Sequence, residues 1–176
     1  MWPVKLILNR VDVEILDASE VIESLGMHYL RELATFGALS DEVIVDLLKR
    51  GTIRQFKRGE YIARYAEVAR DFHIVLRGKT AFYKHFEECD VLTRHFREGE
   101  QIGFDLMIGL IPHDGTDVAV EDCQVLEISS TQFYRVHVNH PAQFGLLMIN
   151  LARELSREIE MLEDVIGKST GWNLEE

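Results

Sequence analysis

Glycines 59, 78 and 99 stand about twenty residues apart, each inside a polar turn between short runs of β-branched and aromatic residues. The turns are Lys57-Arg58-Gly59-Glu60, Arg77-Gly78-Lys79 and Glu98-Gly99-Glu100. Between and after them lie Tyr61-Ile62-Ala63, Asp71 to Leu76, Thr80 to Phe86, Val91 to Phe96 and Cys123 to Ile128, each of strand length and strand composition. A chain that turns at hairpin-sized intervals has no room for crossover helices between its strands. The rhythm therefore predicts an all-β barrel or roll rather than alternating βαβ units. The intervals are unequal, which excludes a solenoid repeat.

Helical patterns flank this middle. Val11 to Leu16 alternates apolar and acidic residues, a strand pattern, and Asp17-Ala18-Ser19-Glu20 then offers a helix cap. Val21 to Leu33 reads as helix broken near Gly26. Ser40-Asp41-Glu42 predicts a second start, with a capping hydroxyl and two acids in the first turn. Val43, Ile44, Leu47 and Leu48 form its apolar stripe, and Lys49, Arg50 and Gly51 close it. From Pro141, apolar residues recur every three or four positions to Ile166, which predicts one helix of roughly 39 Å at 1.5 Å per residue. A helix of that length outreaches one small barrel. Met148, Leu151, Leu155, Ile159 and Leu162 are accordingly expected to form the seam of a homodimer, interrupted by Glu158.

With 176 residues, the chain accommodates one domain with a full core, an N-terminal extension (1–29) and a tail (167–176). A net charge of −11 argues against nucleic acid and anionic membrane as partners, because both are bound by clustered cations. No run of 18 apolar residues is present and the first residues lack the pattern of a signal peptide. With only Cys89 and Cys123, the chain is expected to be cytoplasmic with reduced thiols. His85, Cys89, His95 and Cys123 have no metal-binding spacing, so structural roles are expected for them. No nucleophile elbow, P-loop or zinc motif occurs, and no enzymatic activity or cofactor is expected.

Residues 30–166 resemble the cyclic-nucleotide-binding domain family, the β-roll sensor of catabolite-activator-type regulators and of protein kinase A regulatory subunits. Five segments in family order carry the resemblance: Leu39 to Glu42, Phe56 to Ile62, Phe72 to Tyr83, Gly99 to Gly103, and Glu121 to Leu126. The resemblance implies a mainly β fold with flanking helices: a double-stranded β-helix (a jelly-roll or cupin-like β-roll) with N-terminal helices and a long C-terminal helix over 141–166. It implies a regulatory or sensor role in which a ligand at the phosphate-binding cassette moves the last helix. Family regulators carry a helix-turn-helix after that helix; here ten residues follow it, so direct DNA binding is not expected.

The cassette is where this sequence departs from the family. There the pattern is roughly Phe-Gly-Glu, small residues, then Arg-x-Ala-Thr/Ser, with Glu on the ribose and Arg on the cyclic phosphate. Here Gly103 is followed by Phe104 and Asp105, and the Arg position falls near His113. From Glu98 to Tyr134 the chain runs 37 residues without Lys or Arg while carrying eight acids. An acid about 5 Å from a phosphate at an effective dielectric near 20 costs roughly 3 kcal/mol. The candidate ligand-binding residues are Gly103 and Leu106 through backbone N–H groups, His113 as a protonated substitute for Arg, Thr116 as the hydroxyl, and Phe104, Asp105 and Asp117 as pocket residues. Cyclic nucleotide binding of the usual kind is doubtful on this reading. The alternatives are a genuine cyclic nucleotide site built on His113 and backbone groups, a different small-molecule or protein partner, and a ligand-free dimerisation protein. An open polar cavity at Gly103, Asp105 and Thr116 would favour a ligand; one filled by Phe104 and Met107 would favour a scaffold.

Overall fold

A computed structural model describes residues 13–170. The predicted roll is present as two antiparallel sheets. The first contains β1 (Glu14–Leu16), β2 (Thr52–Phe56), β9 (Cys123–Ser129), β4 (Asp71–Arg77) and β7 (Gln101–Ile102), in that order. The second contains β3 (Tyr61–Ala63), β8 (Gly115–Ala119), β5 (Thr80–Phe86) and β6 (Cys89–Phe96), in that order. Gly59, Gly78 and Gly99 all take positive φ, as turn glycines do. At Gly78 the requirement is double: φ is +91°, and an added Cβ would lie 2.7 Å from the Asp122 carbonyl.

The faces of β4 divide the core. Phe72, Ile74 and Leu76 join the helices, whereas Val75 packs with Phe96 and Ile102 inside the roll. A strand covered on both sides must be apolar at nearly every position, which is why Phe72 to Leu76 is apolar at every position but His73. Against its outer face lie α1 (Ala18–Leu25), α2 (Met27–Glu32), a 3-10 turn at Ala34–Phe36, α3 (Asp41–Arg50), α5 (Ser130–Asn139) and α6 (Pro141–Thr170). Burying a Leu or Phe side chain of this set stabilises the fold by about 1.5–3 kcal/mol each.

Several boundaries differ from the sequence reading. The first strand is shorter, Glu14–Leu16, and the beginning of its predicted range lies outside the described residues. Asp17 caps α1 as expected, accepting from the N–H groups of Ser19 and Glu20, and Gly26 breaks the helix at φ +78°. Ser40 provides no side-chain cap to α3; its own N–H donates instead to Gln143 Oε1 at 2.7 Å, tying α3 to α6. Gly51 closes α3 without a left-handed φ. It is packed so closely that a Cβ would meet Leu126 Cδ1 at 2.4 Å. Sequence periodicity missed β8, where glycine and acids dilute the pattern, and α5, which opens with a Ser129–Gln132 capping box. The last helix runs on to Thr170 rather than ending at Ile166.

Candidate functional site

The cassette folds as β7, then α4 (Phe104–Gly109), a loop through His113, and β8. Gly103 begins it in the left-handed region at φ +76°. Alternation along β8 decides which side chains enter the roll. Gly115, Asp117 and Ala119 are buried, whereas Thr116 and Val118 lie on the other face. Asp117 is therefore held inside, with 2% of its surface exposed and Oδ1 without a hydrogen-bond partner. On the same sheet Phe82 of β5 is in register with both Asp117 and Arg94 of β6. The Phe82 ring lies over Gly115, where a Cβ would approach it to 2.5 Å.

The cations that the cassette sequence lacks arrive from strands β5 and β6. Arg94 is buried; its Nη1 lies 2.5 Å from Glu158 Oε2 on α6, and its Nη2 lies 3.9 Å from Glu100 Oε1. The guanidinium carbon sits 4.3 Å from the centre of the Phe96 ring, within cation–π range. Lys84 pairs with Asp114. The site is thus not devoid of positive charge, as the sequence suggests, but each of these cations already faces a carboxylate of the same chain.

The electrostatics follow from that arrangement. Burial raises the Asp117 carboxyl well above the ordinary carboxylate range; Asp105, Asp114 and Glu158 push the same way and Arg94 only partly offsets them. Desolvation also raises the Asp105 carboxyl, followed by the charge of Glu158, against hydrogen bonds from the N–H groups of Leu106 and Asp105. Asp105 as a residue is exposed, so water screens much of that field. Within α6, burial raises the Glu154 carboxyl, with Arg157 opposing.

A second polar group lies in the other sheet. His73 of β4 is paired across the sheet with Ile102 and with Glu127 of β9. Its Nε2 is 3.8 Å from Asp71 Oδ1 and 3.9 Å from Glu127 Oε2, beyond hydrogen-bond reach. Burial therefore dominates and lowers its pKa to about 4, with Glu127 opposing and His113 adding.

The predicted site residues separate on folding. Phe104 does not enter the roll: its ring packs on Phe72 at 5.3 Å and Phe133 at 5.6 Å, in the core beneath the helices. Met107 joins that core too, so neither residue fills the roll. Leu106 is buried, and its N–H faces the Asp105 carboxylate rather than an open space. His113, expected as a protonated substitute for Arg, is buried against Gly103; a Cβ there would meet its Cε1 at 3.3 Å. Its Nδ1 has no partner, and Asp114 turns to Lys84 instead. The Thr116 hydroxyl accepts from the Tyr65 N–H at 3.3 Å on the outer face. Asp117 points into the roll. A cavity of about 210 Å³ lies beside α4, lined by Val68, Arg70, Met107, Leu110 and Ile111, but not by Gly103, Asp105, Thr116 or Asp117.

Part of the predicted seam is also corrected. Leu151 is fully buried in the protein's own core, and Met148 and Leu155 pack against it. Ile159 and Leu162 are 58% and 50% exposed, with Met161 and Val165 beside them.

Sequence reasoning missed Arg94, Lys84, Glu100 and Glu158. Two signs pointed to them. Arg94 lies two residues before Phe96, hence on its inward face of β6, and Glu158 interrupts an apolar stripe. His85 and Cys89 lie at the β5–β6 hairpin tip as expected, and among the described residues no group of three or more ligating side chains could hold a metal.

The family model for the cyclic nucleotide-binding domain matches residues 53–140. A cyclic nucleotide-binding domain from Methylobacillus flagellatus KT superposes with a TM-score of 0.78 at 19% identity, covering 93% of this chain and 92% of that one. The catabolite activator protein of Thermus thermophilus gives 0.64 at 20% identity, over 78% of this chain and 63% of that one. The regulatory domain of Toxoplasma gondii protein kinase A, crystallised with cAMP, gives 0.63 at 20% identity, over 80% of this chain and 52% of that one. No match was found among the curated proteins.

Proposed function

The chain belongs to the cyclic nucleotide-binding domain family, and from that membership we propose that it is a non-enzymatic regulatory sensor whose cassette does not hold cAMP or cGMP in the family's way. The observation that carries this reading is Asp117. Its carboxyl group faces the inside of the roll, buried and without a hydrogen-bond partner on Oδ1, in the strand that closes the cassette. Ionised, it repels a phosphate; protonated, it supplies one neutral donor and none of the charge of a bidentate guanidinium. Calorimetry with cAMP and with cGMP tests this: no saturable isotherm is expected at micromolar concentrations, and a clear one for either nucleotide refutes the reading.

The same reading takes the active form as a homodimer. Leu155, Ile159 and Leu162 recur at four and three residues, the spacing of a two-helix seam. Beyond Glu158 the helix continues for about 18 Å with exposed apolar side chains. A second copy offers the same stripe, and antiparallel or parallel pairing about a two-fold axis would cover both. Among the described residues no helix is long and apolar enough to cross a membrane. Free Cys89 and Cys123 accord with a reducing, cytoplasmic setting.

A further inference from the structure

Along α6, contact with the rest of the protein ends in a defined way. Asn150 Nδ2 donates to the carbonyls of Gly37 at 2.7 Å and Thr35 at 3.2 Å. Beyond Leu155 every residue to Ser169 is exposed except Glu158. Glu158 reaches back to the roll and places its carboxylate on Arg94 at 2.5 Å. Arg94 is itself buried and stacked on Phe96, and neither its Nε nor its Nη1 makes a hydrogen bond, so Glu158 meets it as an ion pair alone. A guanidinium so placed needs an anion, and the anion is delivered by the helix.

We propose that the roll contains a carboxylate-binding site centred on Arg94, and that its resident ligand is the chain's own Glu158, so that an external monocarboxylate binds only when Glu158 is removed. The helix is then held over the cassette by a tethered ligand rather than by a diffusible one. Two features select the class. Guanidinium and carboxylate match in charge and in planar geometry. Asp117, Asp105 and Glu100 border the site, so the charge it tolerates is small and a dianion is excluded. Glu158 is the position at which helix placement and roll chemistry meet. This inference stands apart from the cyclic nucleotide reading, since Arg94 and Glu158 pair whether or not the cassette accepts a nucleotide.

Glu158→Ala removes a side-chain fragment with the composition of acetate, so sodium acetate is the probe, compared with sodium chloride at equal ionic strength. Hydrogen exchange is read at amides 152–158. Exchange there is expected to rise at least about tenfold in Glu158→Ala, because a buried charge loses its partner. Acetate is expected to slow it again in a saturable way in that variant, and to do nothing in wild type or in Glu158→Ala combined with Arg94→Met. An acetate effect of equal size in wild type, or none in folded Glu158→Ala, overturns the proposal. Should Glu158→Ala fail to fold, Glu158→Gln keeps the size without the charge. Faster exchange at 152–158 is expected there as well, and exchange equal to wild type overturns the proposal. A cAMP isotherm in wild type would refute the nucleotide reading alone and leave these outcomes as they are.

Discussion

Lowering the pH from 7 to 5 should destabilise this protein through His73, and replacing that residue should remove the effect. Its imidazole is buried between the sheets with two carboxylates nearby but beyond hydrogen-bond reach. Burial holds its pKa at about 4, against 6.5 for an ordinary imidazole. The unfolded chain therefore takes up a proton first as pH falls. Stability contributed by the neutral folded form is complete above the unfolded value, and it is lost progressively between pH 6.5 and about 4. At 1.36 kcal/mol per pKa unit the whole span amounts to roughly 3 kcal/mol, of which about 2 kcal/mol falls between pH 7 and pH 5. Little screening reduces this, because only 6% of the side chain is exposed. Urea unfolding of wild type and His73→Phe at both pH values, at one protein concentration, isolates the contribution, since all other titrations are common to the two proteins. The wild type should lose about 2 kcal/mol more than the variant over this interval. Equal losses, or an imidazole resonance of folded His73 titrating near 6.5, would refute the reasoning.

Asp117 has the opposite sign. Its folded carboxyl is raised, so the unfolded chain ionises first as pH climbs past 3.8 and the folded state loses stability above that value. Asp117→Asn should therefore raise stability at pH 7 and give no gain at pH 3 in urea titrations. For the seam, Ile159→Glu with Leu162→Glu should halve the mass seen by light scattering while leaving the fold intact, since both side chains are exposed; an unchanged mass removes the seam. Cys123 is buried with its thiol pushed up to about 12, whereas Cys89 is exposed. A thiol reagent should label one cysteine in the native protein and the second only on unfolding, and rapid native labelling of both would show that the roll opens.

The family was legible in the sequence because turn glycines and strand-length apolar runs are local properties. Gly78 has to be glycine for reasons contained in one hairpin and its neighbour, and Phe72 to Leu76 declares a doubly covered strand by composition alone. The helix from Pro141 was legible for the same reason, though not its end at Thr170, as was the departure of the cassette from its family pattern. Side-chain direction was not. Phe104 is a cassette residue by position, yet α4 turns it into the helical core; Leu151 has seam spacing, yet it is consumed by the protein's own packing.

By itself, then, the sequence determined the roll, its flanking helices and the absence of a cation between Glu98 and Tyr134. Only the tertiary structure decided that this absence is local to the chain and not to the site. Charge is counted along a chain but felt through space. Pairing of β6 with β5, and β5 with β8, brings Arg94 into register with Phe82 and Asp117, and the path of α6 brings Glu158 to Arg94. The 64 positions that separate Arg94 from Glu158 in sequence become 2.5 Å between charged atoms, and that contact, not the composition of the cassette, sets the chemistry of the roll.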